Sequence, residues 1–411
     1  MPVSSGDTAW LLVSSALVML MTPGLALFYG GMVRRKNILS TIMMSFIALG
    51  LVGLLWVLYG YSLSFSPDSG GFIGGLNFIG LSSVGQEPSP LYASTVPHLA
   101  FMIFQAMFAI VAVALITGAV VERLKFGSLL VISVLWLTLV YCIVAHWVWG
   151  SDGWLAKLGA LDFAGGTVVH INAGVSALAL VMLLGRRRGF AQEPMEPNNI
   201  PMVVLGAGLL WFGWFGFNAG SALTSGGLAA SAFVANNTAA ATAALVWMIL
   251  SWLHQRPTIL GTVTGAVVGL VAVTPAAGFV SPLVGIPIGA VAAITSYYGM
   301  LLFKIKRGVD DSLDVFTCHG IGGIWGALAT GIFASVTVNA AGADGLLLGN
   351  VMQFLRQLLG VVVVGSYAFT ITWVIGKLVD VTIGLRVGQA EEAVGLDLSQ
   401  HGERAYGGLL R

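Results

Sequence analysis

Charge is what this sequence has least of. Only 9% of its 411 residues are Asp, Glu, Lys or Arg, against 57% hydrophobic, and the mean hydropathy is +0.93. A soluble surface needs roughly a quarter of the chain charged, so lipid must cover most of this one. The formal net charge of +1 leaves no basic surface for a nucleic acid. Two cysteines, Cys142 and Cys318, both in apolar runs, are too few for a disulfide framework or a zinc cluster. No long alternating strand pattern occurs, which argues against a transmembrane β-barrel. No nucleophile–base set or cofactor motif is visible, so neither an enzyme nor a cofactor protein is expected. No Lys or Arg precedes Arg34; without a basic n-region, the first apolar run reads as a retained helix rather than a cleaved signal.

What the chain does have is apolar length. A helix needs roughly 20 mostly apolar residues to cross a bilayer, and hydropathy broken by Gly, Pro and charge gives eleven such spans. They fall near 8–33, 38–63, 96–121, 126–149, 163–185, 199–222, 228–253, 258–276, 281–303, 313–334 and 350–378. The expected fold is an all-α polytopic membrane domain over 1–380, with a polar tail over 381–411. Positive charges set the orientation. Arg34, Arg35 and Lys36, Arg123 and Lys125, Arg186, Arg187 and Arg188, Arg256, Lys304, Lys306 and Arg307, and Lys377, Arg386, Arg404 and Arg411 share one side if the N-terminus is outside. Only Lys157 and Arg356 of the eighteen basic residues fall at the other. The expectation is N-terminus out, C-terminus and tail in the cytoplasm.

Spans 1–5 and 6–10 form two sets of five. Five is odd, so the second set enters from the opposite side, giving an inverted-topology repeat of the kind that places a substrate path near the midplane. Span 5 carries Asp162, His170, Gly174 and Ala177; span 10 carries Asp314, His319, Gly323 and Gly326. Each half thus has an acid, a histidine and small residues that permit close helix approach. At 1.5 Å per residue, His170 lies about 12 Å from the level of Asp162, and His319 about 7–8 Å from Asp314, so both reach toward the middle of the core. The spacing of Gly261, Gly265 and Gly269 in span 8 reads as helix packing.

An ionisable residue inside a membrane helix is a functional candidate, although a lone histidine can equally bond a helix carbonyl. Two at matched places in inverted halves favour function. Cys318 and His319 are neighbours and face different ways on a helix, leaving two histidines without a third ligand, too few for a closed metal site. A neutral imidazole pair offers a donor and an acceptor on each ring and suits a small cargo that can lose a proton. Sodium or potassium would need rings of oxygen ligands instead. Asp162 and Asp314 each open a helix and read as N-caps, Asp162 also adding negative potential at the outer mouth. Phe104 and Phe108 share a face. Trp149 closes span 4, and Phe217, Asn218 and Ser221 close span 6. Singly these are anchors and packing residues; together they make an aromatic cup with one hydroxyl, able to hold a cation by cation–π attraction.

The stretch Asp162-Phe-Ala-Gly-Gly-Thr-Val-Val-His170-Ile-Asn172 closely resembles the signature of the ammonium transporter, methylammonium permease and Rhesus family. So do Gly24-Leu-Ala-Leu-Phe-Tyr-Gly-Gly31, Trp214-Phe-Gly-Phe-Asn-Ala-Gly-Ser221, Asp314-Val-Phe-Thr-Cys-His319-Gly and Gly395-Leu-Asp-Leu-Ser-Gln-His-Gly402. The resemblance runs from span 1 to the tail. It implies an ammonium and methylammonium transporter of the cell membrane. Trp149, Ser221 and Phe108, near Asp162, would recruit ammonium; Phe108 and Phe217 would stack as a gate with Phe104 just outside; His170 and His319 would be hydrogen-bonded twin histidines. It also implies a homotrimer with one pore per subunit, and a PII-type signal protein as regulator at the cytoplasmic face. Trp149, Ser221 and the Phe pair favour the microbial and plant branch over the Rhesus branch. The alternatives are an ammonium sensor with little flux, signalling through the tail, and an electroneutral gas channel for ammonia.

Overall fold

The computed structural model describes residues 3–68 and 70–406; Arg411, counted above among the basic residues, lies outside them. The apolar runs fold as helices because lipid offers no partner for a free backbone N–H or C=O, and the helix satisfies both internally. In chain order, α1 is Ser5–Met32. Helix α2 is Ile38–Leu55 continued through a wide π-type turn, Trp56–Gly60, and Tyr61–Phe65. Helix α3 is His98–Val120, and α4 runs through Phe126–Trp136, Leu137–Tyr141 and Cys142–Trp149. Helix α5 is Gly166–Leu184, α6 Ile200–Gly220, α7 Gly227–His254, α8 Ile259–Val273, and α9 Pro282–Lys306. Helix α10 joins Phe316–Ile321 to Gly322–Phe333, and α11 is Val351–Thr382. A small hairpin, β1 Pro88–Ser89 with β2 Ala93–Pro97, decorates the α2–α3 connection. All eleven expected spans are helices. Among the described residues, nine are long and apolar enough to cross a membrane; α8 is shorter, and α10 is diluted by a histidine and glycines.

The two halves meet through corresponding members: α1 packs along α6, and α5 along α10. Both contacts depend on glycine. A Cβ on Gly206 of α6 would lie 2.4 Å from the backbone nitrogen of Phe28, and one on Gly174 of α5 would lie 2.2 Å from that of Gly320. No side chain fits either crossing, so backbones touch where van der Waals contact, rather than hydrophobic burial, must hold helices together in lipid.

Several of the basic residues expected to share a side meet in one buried cluster. Glu122 pairs with Arg34 at 2.9 Å and with Arg187 at 3.0 Å, and Arg187 pairs with Asp310 at 2.7 Å. Arg123, fully buried, donates to the Asp310 carbonyl and the Ser312 hydroxyl, each at 2.6 Å. The polar tail is docked onto this same face. Two short helices, α12 Gln389–Val394 and α13 Leu396–His401, tie to the start of α2: the Leu396 N–H donates to Asn37 Oδ1, and the Ser40 N–H to Asp397 Oδ1, both at 2.8 Å. Arg386 pairs with Glu392 at 2.8 Å.

One expected cap is in the wrong place. Asp314 does not cap α10; its backbone is left-handed at φ 59° and its carboxylate pairs with Lys304 at 3.0 Å. The cap is Asp311, whose Oδ2 accepts from the Phe316 N–H at 2.7 Å. The positive-φ turn swings Asp314 aside and brings the earlier aspartate under the helix end.

Candidate functional site

The α5–α10 crossing brings the two histidines together. With Gly174 against Gly320, and Gly323 placing an imagined Cβ 3.1 Å from the Cβ of His170, the imidazoles lie 5.2 Å apart, nearly parallel at 24°. His170 Nδ1 and His319 Nδ1 are 3.2 Å apart. Both rings are buried. One nitrogen of such a pair donates and the other accepts, and a neutral accepting ring must carry its proton on Nε2. The tautomers of the two rings are therefore coupled. His170 Nε2 has no hydrogen-bond partner among the described residues.

Aromatic rings flank His170. Trp214 stacks on it at 5.4 Å and Phe217 at 5.9 Å. Phe217 meets Phe108 at 4.2 Å, tilted by 34°. Phe108 in turn takes the edge of Phe104 at 4.9 Å and lies edge-on to Trp149 at 5.9 Å. Phe104, Phe108 and Phe217 are fully buried. Ser221, half-buried at the end of α6, donates to the Phe217 carbonyl at 2.8 Å. The rings read from the sequence thus form one contiguous stack, with Ser221 attached through the backbone of its last member.

Asp162 belongs to this site by support rather than by contact. Its Oδ1 accepts from the Gly165 and Gly166 N–H groups at 2.8 and 2.7 Å, and its Oδ2 from Thr167 and Val168 at 2.8 and 3.0 Å. The carboxylate is the cap expected for α5, holding all four free donors of the helix start. Its own carbonyl accepts the Trp149 indole N–H at 2.9 Å. A recruited cation in contact with this carboxylate would have to compete with these four bonds.

The other side of the pair is open. A cavity of about 540 Å³ lies beside His319, lined by Leu25, Tyr29, Trp247, Val267 and Cys318 among others, with Asp314 and Arg256 also on its wall. His319 faces it; His170, sealed by Trp214 and Phe217, does not.

Trp214 is the site residue that sequence reading did not single out. Its indole N–H donates to Thr274 Oγ1 at 3.0 Å, holding the ring flat against His170. The signal was its position three residues before Phe217, which puts both on one helix face. Thr274 carries no comparable signal.

A multi-helix bundle with an inverted repeat and a buried imidazole pair, plugged by rings on one side and open on the other, is a membrane transporter and not an enzyme. The chain belongs to the ammonium transporter family. The family model, Ammonium Transporter Family, matches residues 9–406. Ammonium transporter Amt1 of Archaeoglobus fulgidus is 52% identical over 98% of this chain and 100% of its own length. The ammonium transporter of Bacillus subtilis is 50% identical, with 98% of each chain covered. The crystal structure of Candida albicans Mep2 superimposes with a TM-score of 0.89 at 36% identity, covering 98% of this chain and 90% of that one.

Proposed function

We propose that this ammonium transporter recruits ammonium at the cup formed by Trp149, Phe108 and Ser221, strips its proton beside the Phe108–Phe217 pair, and passes neutral ammonia by His170 and His319 into the wide cavity. The single observation that carries this is the 3.2 Å Nδ1–Nδ1 contact beneath a closed ring stack. Moving an intact cation through such a path costs several kcal/mol in lost hydration, whereas ammonia needs only a donor and an acceptor. The proton returns through the coupled imidazoles, so transport moves net charge. Asp162 acts by holding Trp149 and the start of α5.

The basic face is cytoplasmic and the cup is external, by the charge asymmetry; the setting is the cell membrane, with the N-terminus outside. The protein works as a homotrimer with one pore per subunit, and a PII-type signal protein at the cytoplasmic face is the regulator in keeping with the docked tail. Current recording from proteoliposomes with ammonium, methylammonium and potassium tests the mechanism. Ammonium current without potassium current is expected. Retained ammonia flux without current would make the protein an electroneutral gas channel instead.

A further inference from the structure

A third imidazole, His146, is completely buried on α4, one turn before Trp149. Its Nδ1 lies 2.9 Å from the Ser64 carbonyl oxygen of α2. A carbonyl only accepts, so Nδ1 carries a proton. Nε2 lies 3.4 Å from Asp68 Oδ2 and has no hydrogen-bond partner among the described residues. We infer that the contact between His146 and Asp68 is a positioning device for Trp149, latching the 70–78 loop onto the end of α4.

The latch grips the chain on both sides of Trp149. Asp68 gathers the loop: its Oδ1 accepts from the Gly71 N–H at 2.9 Å, and its Oδ2 from Phe72 and Ile73 at 3.1 and 3.3 Å. The gathered loop places the Phe72 ring 5.4 Å from Trp147, ahead of Trp149, and the Gly71 carbonyl accepts from the Trp154 N–H at 3.4 Å, after it. The turn leaving Trp149 folds back over His146 itself. Gly150 donates to the His146 carbonyl at 3.0 Å, and a Cβ on Gly153 would lie 2.0 Å from that same oxygen. His146 and Asp68 therefore reach the vestibule only through the tryptophan they frame. Removing either side chain cuts the contact that ties the gathered loop to α4.

This inference rests on Trp149 forming the outer recruitment site, and the test separates the two. Full-length protein in proteoliposomes is compared with H146Q, D68N and the double variant, reading backbone hydrogen exchange over 67–78 together with methylammonium uptake. Each single variant is expected to speed exchange at residues 71–73 about tenfold and raise KM about fivefold, while the maximal rate stays within about twofold. The double variant, which replaces both partners of the contact with amides, is expected to lie closer to wild type than the product of the single effects. Unchanged exchange in H146Q, or multiplicative effects in the double variant, overturns the latch. Loosened exchange with an unchanged KM overturns its role in positioning Trp149. Should H146Q fail to fold, D68N alone decides through its exchange rates, because Asp68 lies outside the helices. A Trp149→Ala variant with unchanged KM would sink the recruitment reading and leave the exchange result standing.

Discussion

Gly174 of α5 faces Gly320 of α10 so closely that a Cβ on Gly174 would lie 2.2 Å from the Gly320 nitrogen and 2.6 Å from its Cα. The clash is with backbone, which cannot rotate away. The same crossing sets the separation of His170 and His319, one on each helix. Gly174→Ala should push the helices apart and break the 3.2 Å contact, abolishing most ammonium current even where the protein still inserts and assembles. Normal current from a well-expressed Gly174→Ala protein would show that the crossing does not set the histidine geometry.

Replacing both His170 and His319 with alanine removes the buried imidazole pair whose Nδ1 atoms lie 3.2 Å apart. If they relay a proton, ammonium current should fall by about 10²-fold or more, the usual scale for losing a positioned acid–base group. Proteoliposome current and its selectivity over potassium are the measurements. An unchanged current with unchanged selectivity would sink the relay.

Phe217→Ala opens the tightest point of the ring stack. Truncating a fully buried Phe costs about 3–5 kcal/mol, so folded protein is selected by size-exclusion before recording. The expected result is lower discrimination against potassium, since a hydrated cation then meets less of an apolar plug. Selectivity ratios in the same recordings check it, and a ratio matching wild type would place the gate elsewhere.

Asp162→Ala leaves four buried N–H groups at the start of α5 without their acceptor. A buried donor left bare costs about 1–3 kcal/mol, so a marked fall in thermal stability should accompany any loss of transport. Asp162→Asn, retaining one acceptor oxygen, should fall between. A transport defect at full stability would instead point to direct contact between Asp162 and the cation.

At the basic face, burial pushes the Glu122 and Asp310 carboxyls up, but the neighbouring guanidiniums together outweigh it, Arg187 with Arg34 at Glu122 and Arg187 with Arg123 at Asp310, and both end below their ordinary values of 4.5 and 3.8. A depressed carboxyl contributes stability that is present above its unfolded pKa and lost as pH falls through the folded one. Unfolding scans should therefore show this contribution disappearing below about pH 4. Arg187→Ala removes the partner that Glu122 and Asp310 share, leaving Glu122 to Arg34 and Asp310 beside Arg123, and should cost about 1–3 kcal/mol; an unaltered melting profile would show the network to be idle.

The parts of this protein legible in its sequence are those with a strong solvent preference. Lipid demands apolar length, so all eleven helices could be placed. An imidazole in an apolar run stands out, so His170 and His319 did too. What escaped depends on backbone path. Asp311 rather than Asp314 caps α10 because of one residue at positive φ, and two aspartates three residues apart look alike as letters. Trp214 was one tryptophan among twelve, distinguished only once Thr274, sixty residues away, fixed its ring over His170. The docking of the polar tail was likewise hidden, because Asn37 and Asp397 hold that contact through single side chains with no periodic pattern.

The open cavity beside His319 has an electrical meaning. A transmembrane voltage falls where polarisable water is absent, and a space of about 540 Å³ has room for well over a dozen waters at about 30 Å³ each. Once wetted, it would sit near the potential of its own side of the membrane. Nearly the whole field would then be squeezed across the few ring thicknesses from Phe108 to His319. A proton hopping between the two imidazoles would cross a large share of the membrane potential in a single short step, and the current should be correspondingly steep in voltage.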